Sequence, residues 1–138
     1  MNQRAEALLE VHRLRKTAVR MQVLDIFLQA NVALAQSDIE RHFEQIDRIT
    51  LYRTLKTFED KGLIHKAIDG SDKPKYALCH SGCDAHTHHD HHAHFHCADC
   101  GQTYCLDEVE APPIKAPGGF QVVATHLVVT GKCEFCVE

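Results

Sequence analysis

The sequence predicts an α+β fold, with helices in the first half of the chain and short strands in the second half. Within residues 1–64, apolar side chains recur at helical spacing between residues that favour helix starts and stops. Strand-like segments follow at Leu63–Ile68 and Lys75–Leu78, and Asp69–Asp72 between them favour a turn. Short helices followed by a β-hairpin are typical of a winged helix-turn-helix domain.

Capping residues divide the helical part into segments. Thr17 can cap a second helix, and Ser37–Glu40 has the pattern of a capping box that opens a short third helix. Asp47 can cap a fourth helix, which is predicted to run from Arg48 to Lys61 and to stop at Gly62.

The second half of the chain is rich in potential metal ligands. Residues 79–96 hold two cysteines and eight histidines, a composition that is typical of metal-binding tracts. Strands are predicted at Thr103–Leu106 and Phe120–Thr130, whereas the prolines and glycines between residues 112 and 119 exclude a long helix there.

The composition excludes several classes of protein. No apolar run approaches the ~20 residues that a membrane span needs, and the N-terminus lacks the apolar stretch of a signal peptide. We therefore expect a cytoplasmic protein, in which the seven cysteines are reduced and available to metals. Residues 1–78 carry 13 Lys/Arg against 11 Asp/Glu, and residues 79–138 carry 2 against 8, so an anionic partner is expected to meet the first half.

The predicted fourth helix has the two faces of a DNA-reading helix. Leu51, Leu55 and Phe58 form an apolar face at i, i+4 and i+7. The opposite face carries cations and a tyrosine, which suit the phosphates and base edges of a major groove. The candidate DNA contacts are Arg48, Tyr52, Arg53 and Lys56, with Arg15 and Arg20 near the start of the second helix. The same pattern also fits an ordinary surface helix with solvated charges.

Two Cys-x-x-Cys pairs give the clearest indication of a metal. Each pair places two sulfurs on one turn, and two pairs complete a tetrahedral four-thiolate site without an open position, which predicts a structural Zn²⁺. The pairs are Cys97 with Cys100 and Cys133 with Cys136. Unliganded cysteines and a redox Cys-x-x-Cys are the alternatives, but a redox role needs a thioredoxin-like βαβ context that the sequence lacks.

A second group of imidazole and thiolate donors lies outside these pairs. If residues 91–97 form a strand, alternation places its three even-numbered histidines on one face. Mixed imidazole and thiolate ligands favour Zn²⁺ over Mn²⁺ or Mg²⁺, and such a site would tie the two halves of the chain together. The candidates are His65, Cys79, His92, His94, His96 and Cys105. Alternatively, the histidines between residues 80 and 89 form a weak zinc-scavenging loop.

The order of these motifs resembles the ferric uptake regulator family over nearly the full length of the chain. The marks are the helix segment Thr50–Leu55, the HHxH and CxxCG motifs in His91–Gly101, and the closing segment Gly131–Cys136. The resemblance implies an N-terminal winged helix, a C-terminal αβ dimerisation domain, and a homodimer that binds palindromic operator DNA when it carries metal. It also implies a structural Zn²⁺ on the four paired cysteines, and it places Thr50 among the DNA-binding residues.

Within that family, the chain looks most like the zinc-responsive branch. The resemblance implies a regulatory zinc site, and its ligands are expected from His65, Cys79, His94 or His92, and Cys105. We divide the chain into a winged-helix domain at 1–79, a histidine-rich hinge or insert at 80–92, and a dimerisation and metal-binding domain at 93–138.

The function expected from these observations is that of a zinc-responsive repressor. Sensing of iron, nickel or peroxide, and a zinc-buffering role for the histidine tract, are the alternatives. An enzyme is not expected, because the sequence has no HExxH or comparable motif of a zinc hydrolase. Neither a membrane nor a small organic substrate is expected as a partner.

Overall fold

The computed structural model describes residues 3–30, 32–70, 72–78, 92–110, 112–123 and 125–137. These residues form four helices, α1 Gln3–Val11, α2 Ala18–Gln29, α3 Gln36–Glu40 and α4 Arg48–Asp60. They also form six strands, β1 Leu34–Ala35, β2 Ile64–Lys66, β3 Lys75–Leu78, β4 His92–Cys97, β5 Thr103–Glu110 and β6 Val128–Gly131. The predicted α+β class, with helices first and strands second, is confirmed.

The four helices and the strand that follows them enclose one apolar core. Leu51, Leu55 and Phe58 on α4 are all at most 1% exposed, so the predicted apolar face of this helix is confirmed. They pack with Leu9 of α1, Ile39 of α3 and buried side chains of α2. Full burial of a Leu or Phe side chain stabilises a fold by about 1.5–3 kcal/mol, so this core fixes the orientation of α4.

Three of the predicted helix boundaries are confirmed. The Thr17 side chain accepts a hydrogen bond from the Arg20 N–H at 3.2 Å, and Asp47 accepts one from the Ile49 N–H at 3.4 Å. After α4, Gly62 adopts a positive φ of 83°, which glycine reaches without the steric cost of a Cβ.

The predicted start of α3 was wrong. The helix begins at Gln36, with Ala35 rather than Ser37 in the capping position. Ala35 has no side-chain acceptor, but its N–H donates to the Asp38 carboxylate at 2.9 Å. Asp38 therefore satisfies the backbone donor at this helix start, and Ser37 lies inside the first turn.

The hairpin of β2 and β3 joins β1 in an antiparallel sheet with the order β1-β3-β2, which we call the wing sheet. Its register pairs His65 with Ala77. The predicted strand Leu63–Ile68 is shorter in the structure, since β2 spans only Ile64–Lys66, and β1 was not predicted.

The second half of the chain forms a sheet with the order β5-β4-β6, which we call the C-terminal sheet. Strand β4 is antiparallel to β5 and parallel to β6. The strand expected at Phe120–Thr130 was wrong over most of its length, because only Val128–Gly131 pairs. Phe120 and Val123 are 72% and 93% exposed, so these two side chains make little packing contact with the described residues that would hold the segment as a strand.

The two sheets meet along a small apolar seam. Ala33, Ala67 and Ala77 are buried there, and Cys105 of the C-terminal sheet packs against them. The Ala33 N–H donates to the Thr103 carbonyl at 2.7 Å. Small side chains allow this close approach, which brings the middle of β2 next to β4 and β5.

Candidate metal centres and nucleic-acid interface

The four paired cysteines converge at one end of the C-terminal sheet. Parallel pairing places Cys97, the last residue of β4, opposite Gly131 of β6, so the two Cys-x-x-Cys turns lie side by side. The sulfurs of all four cysteines lie within 4.8 Å of one another. This four-cysteine cluster consists of Cys97, Cys100, Cys133 and Cys136.

The geometry of the four-cysteine cluster fits a tetrahedral metal. Two sulfurs of a tetrahedral zinc site with Zn–S bonds of about 2.3 Å lie about 3.8 Å apart. The Sγ atoms of Cys100 and Cys133 are 3.8 Å apart. Cys97 and Cys133 are buried, and Cys100 is exposed. Because four protein sulfurs complete a tetrahedral coordination, the arrangement fits a closed site.

Hydrogen bonds lower the pKa of two of the four thiols, Cys97 and Cys133, whereas a hydrogen bond with Cys133 raises the pKa of Cys136 to about 12. The backbone N–H groups of Cys100 and Cys133 donate to Cys97 Sγ at 3.5 and 3.4 Å, and they lower the pKa of Cys97 to about 6. Burial acts to raise the pKa of Cys133, but hydrogen bonds from the Tyr104 hydroxyl and the Phe135 backbone outweigh it and lower this pKa. Metals bind thiolates, so these donors favour metal binding.

A second cluster joins the wing sheet to the C-terminal sheet. It consists of His65 on β2, His94 on β4 and Cys105 on β5, whose donor atoms lie within 4.8 Å of one another. His65 and His94 are 3% and 5% exposed, and their ring centroids are 6.0 Å apart. Three borderline-soft donors in a buried pocket suit Zn²⁺.

Strand register explains this convergence. His94 pairs directly with Cys105 across β4 and β5, and the seam places His65 of β2 against them. His96 has the same strand parity as His94, but its Nδ1 lies 3.2 Å from Thr103 Oγ1 instead. Two of the expected regulatory ligands are not placed here: Cys79 lies outside the described residues, and His92 is described only as the first residue of β4.

The candidate DNA face of α4 points to solvent, and Tyr52 is 55% exposed. Several of its polar groups have partners within the chain. Arg48 lies 3.5 Å from Glu40, Lys56 lies 3.6 Å from Asp60, and the Thr50 hydroxyl donates to Asp47 at 3.1 Å. Exposed ion pairs contribute about 0–1 kcal/mol, so DNA phosphates can replace them at little cost.

The two other candidate DNA contacts lie around the start of α2. Arg15 is exposed, and Arg20 is half-buried. Arg20 Nη1 donates to the Arg15 carbonyl at 2.8 Å, which fixes one cation at the N-terminal end of this helix.

Sequence reasoning missed a group of polar residues next to the second cluster. Asp69 was predicted only as part of a turn, but its side chain is 2% exposed and it bonds to Lys75 and Thr103. Asp-Gly is an ordinary turn dipeptide, so no local signal distinguishes this aspartate from a solvated one. Its burial depends on how the two sheets pack.

The fold and these clusters can be compared with known proteins. The model of the ferric uptake regulator family matches residues 12–129. The chain belongs to the ferric uptake regulator family. Members of this family are metal-binding, DNA-binding transcription regulators and not enzymes.

Relatives and solved structures of the ferric uptake regulator family cover most of the chain. A ferric uptake regulation protein of Staphylococcus aureus is 32% identical over 137 residues, which cover 95% of this chain and 94% of that protein. A zinc uptake regulator solved with zinc and DNA has a TM-score of 0.62 at 21% identity, over 96% of this chain and 89% of that one. The Vibrio cholerae ferric uptake regulator has a TM-score of 0.59 at 21% identity, over 93% of this chain and 98% of that one.

Within the described part of the chain, no helix has the length and apolar character that crossing a lipid bilayer requires.

Proposed function

We propose that this protein is a zinc-responsive repressor that binds palindromic operator DNA as a homodimer. The observation that carries the proposal is the buried cluster of His65, His94 and Cys105, because its members come from both sheets. In a metal-responsive regulator, metal binding must change how the DNA-binding half is placed relative to the rest of the protein. A cluster with ligands on both sides of the seam can have this effect.

The donor set favours zinc as the signal. Two imidazoles and one thiolate are borderline to soft ligands, whereas iron and manganese sites in proteins use more carboxylates. Cys79 follows β3 directly in the sequence and is our candidate for the fourth ligand, with His92 as the alternative. The name of the Staphylococcus aureus relative favours iron instead, so iron is the second candidate signal.

Each protein group has a defined role in this proposal. His65 connects the site to the DNA-binding half, because β2 follows α4 after a short turn. His94 and Cys105 connect it to the C-terminal sheet. A bound ion supplies a cross-link between the two halves. A shift from 1% to 99% of the DNA-binding arrangement requires about 5.5 kcal/mol of preferential binding, which is within reach of several ligand bonds.

The four-cysteine cluster has a structural role in the proposal. Cys97, Cys100, Cys133 and Cys136 hold a Zn²⁺ that connects the end of β4 to the segment after β6. Binding free energies of structural zinc sites are of order 10 kcal/mol. Among the described residues, the C-terminal sheet has three strands and few buried side chains, so we expect it to depend on this ion.

Helix α4 is the proposed reader of DNA, and we place it in the major groove. Arg48, Thr50, Tyr52, Arg53 and Lys56 supply its contacts to bases and phosphates, with Arg15 and Arg20 on the DNA backbone. A homodimer presents two such helices to two half-sites, which is why the operator is expected to be palindromic. The division into residues 1–79, 80–92 and 93–138 and a cytoplasmic location belong to the same proposal.

Fluorescence anisotropy with buffered free zinc tests this function. The DNA is a pool of AT-rich palindromic duplexes, and iron and nickel serve as comparison metals. We expect zinc to raise the affinity, and we expect His94→Ala to lose the response while it keeps the zinc of its four-cysteine cluster. A response to iron alone would identify iron as the signal. If no metal induces specific DNA binding, the repressor proposal fails and zinc buffering by the tract at 80–89 becomes the better account.

A further inference from the structure

A buried polar network lies beside the second metal cluster, and neither proposed metal site uses it. Thr103 Oγ1 donates to Asp69 Oδ2 at 2.6 Å, and Lys75 Nζ lies 3.0 Å from the same oxygen. The Asp69 and Lys75 side chains are 2% and 11% exposed, and Thr103 is fully buried. Buried charges are costly unless they are paired and hydrogen-bonded, so a network of this kind fixes its partners closely.

Lys75 and Thr103 each have several hydrogen-bond partners in this network. Besides Asp69, Lys75 Nζ donates to the Gly101 carbonyl at 2.6 Å and to Thr103 Oγ1 at 3.0 Å. Since the Thr103 hydroxyl gives its proton to Asp69, the nearby His96 Nδ1, at 3.2 Å from Oγ1, is the donor in that contact. Lys75 and Asp69 lie on the side of the wing sheet, and Gly101, Thr103 and His96 lie on the side of the C-terminal sheet. Every bond between these two groups therefore joins the two sides.

Strand alternation ties this network to the metal cluster. On β4, His96 has the same parity as the cluster ligand His94, and on β5, Thr103 has the same parity as Cys105. On β3, Lys75 is two residues from Ala77, which pairs with His65. The polar network is therefore the next row of side chains along the same seam, one strand repeat from the metal cluster.

We propose that Asp69, Lys75 and Thr103 form a latch that holds the wing sheet against the C-terminal sheet at the spacing where His65 meets His94 and Cys105. They are positioning residues for the metal cluster, and this inference rests on the regulatory role proposed above for that cluster. A latch raises the fraction of molecules in which the three ligands are already assembled. The apparent metal affinity rises with that fraction, because only assembled molecules bind.

Cobalt binding tests the latch in the 138-residue chain with zinc in its four-cysteine cluster. Co²⁺ is titrated in competition with a chelator, and thiolate-to-cobalt absorption that is lost in His94→Ala and Cys105→Ser defines the signal of the second cluster. The first variant is Asp69→Asn/Lys75→Met, which removes both buried charges together and leaves neither unpaired. The second is Thr103→Val, which keeps the side-chain shape and removes the hydroxyl.

Two matched controls separate the latch from general effects. Thr103→Ser keeps the hydroxyl, and Asp99→Asn/Lys132→Met removes an ion pair of 3.6 Å that is about half exposed and lies near the four-cysteine cluster. The apparent metal affinity falls in proportion to the fraction of molecules in which the ligands are assembled. We expect about a tenfold loss of cobalt affinity in both latch variants, which corresponds to a tenfold lower assembled fraction, and wild-type affinity in both controls.

Each result decides between named explanations. Unchanged cobalt affinity in Thr103→Val and in the double latch variant overturns the latch and leaves the proposed function intact. If the double variant does not fold, Thr103→Val alone decides. A wild-type protein without a His94-dependent cobalt signal overturns the proposed function together with the latch. An equal loss of affinity in the surface-pair control also overturns the latch, because it would show a general charge effect.

Discussion

The two metal clusters differ in how their ligands are distributed along the chain. All four members of the four-cysteine cluster lie at one end of the C-terminal sheet, on two turns that a single strand pairing brings together. The cluster of His65, His94 and Cys105 draws on three strands in two sheets. An ion in the first would therefore stabilise one sheet, whereas an ion in the second would connect two.

In the proposed function, this difference in topology, rather than the ligand type, distinguishes the structural cluster from the regulatory one. Metal binding at a site within one sheet changes the stability of that sheet. It does not change the position of one sheet relative to the other. A site across a seam binds its metal only when both sheets are in place. Metal binding therefore favours the arrangement in which the two sheets are in contact. We test this contrast with four predictions, in decreasing order of the free-energy change that each involves.

Removal of the structural ion has the largest expected effect. In Cys97→Ser/Cys100→Ser we expect loss of one zinc per chain and unfolding of β4 to β6. The double substitution removes a binding free energy on the order of 10 kcal/mol. Metal analysis and hydrogen exchange measure both effects. Cys105→Ser, which changes the other cluster, is the control and keeps its structural zinc. A folded C-terminal sheet in the double variant would contradict the structural role.

Removal of one seam ligand abolishes the response without unfolding the protein. In His65→Ala we expect zinc to leave the operator affinity unchanged, which corresponds to a loss of up to about 5.5 kcal/mol of coupling. The measurement is DNA affinity at low and high buffered zinc. The exposed His126, changed to Ala, is the matched control and keeps the response. A zinc response that persists in His65→Ala would show that the seam cluster is not the sensor.

Loss of one latch charge has the next largest effect, and it acts on stability. Asp69→Ala leaves the Lys75 ammonium at the seam without its carboxylate, and such changes cost about 3–5 kcal/mol. Asp99→Ala removes an exposed ion pair with Lys132 and is expected to cost at most about 1 kcal/mol. Urea unfolding of the two variants gives the comparison. Equal costs would mean that the seam does not bury Asp69 in solution.

Changes on the DNA face have the smallest effect and leave both metal clusters intact. Arg53→Ala is expected to weaken operator binding by about 1–3 kcal/mol if its guanidinium reads a guanine edge. Lys56→Ala is expected to weaken binding to all DNA sequences alike. It is also expected to reduce the slope of log affinity against log salt concentration by about one. Anisotropy titrations at several salt concentrations measure both. Unaltered DNA affinity in both variants would remove α4 from the interface.

Local patterns predicted the parts of the fold that local interactions determine. The apolar face of α4 and the caps Thr17 and Asp47 depend on residues within one or two helical turns, and all were correct. The prediction for the start of α3 failed because the Asp38 carboxylate accepts the hydrogen bond from the Ala35 N–H. The Ala35 side chain offers no acceptor, so that position carries no capping signal.

The metal clusters show the same limit. Two Cys-x-x-Cys pairs are sufficient to predict a four-cysteine cluster, because each turn already sets two sulfurs together. Alternation grouped His92, His94 and His96, but only the register against β5, with His94 opposite Cys105, distinguishes His94 from His96. Asp69 and Lys75 were not predicted at the seam, because their burial follows from sheet packing and not from neighbouring residues.

Hydrogen exchange of the protein with the seam cluster filled or empty tests most directly whether this cluster joins the two halves. Zinc stays in the four-cysteine cluster under both conditions, and His65→Ala serves as the reference without a complete site. The account predicts that filling the seam cluster slows exchange on both sides of it, at Ile64–Lys66 in the wing sheet and at His92–Cys97 in the C-terminal sheet. Slower exchange on one side only, or equal slowing in His65→Ala, would contradict the claim that this cluster joins the two halves.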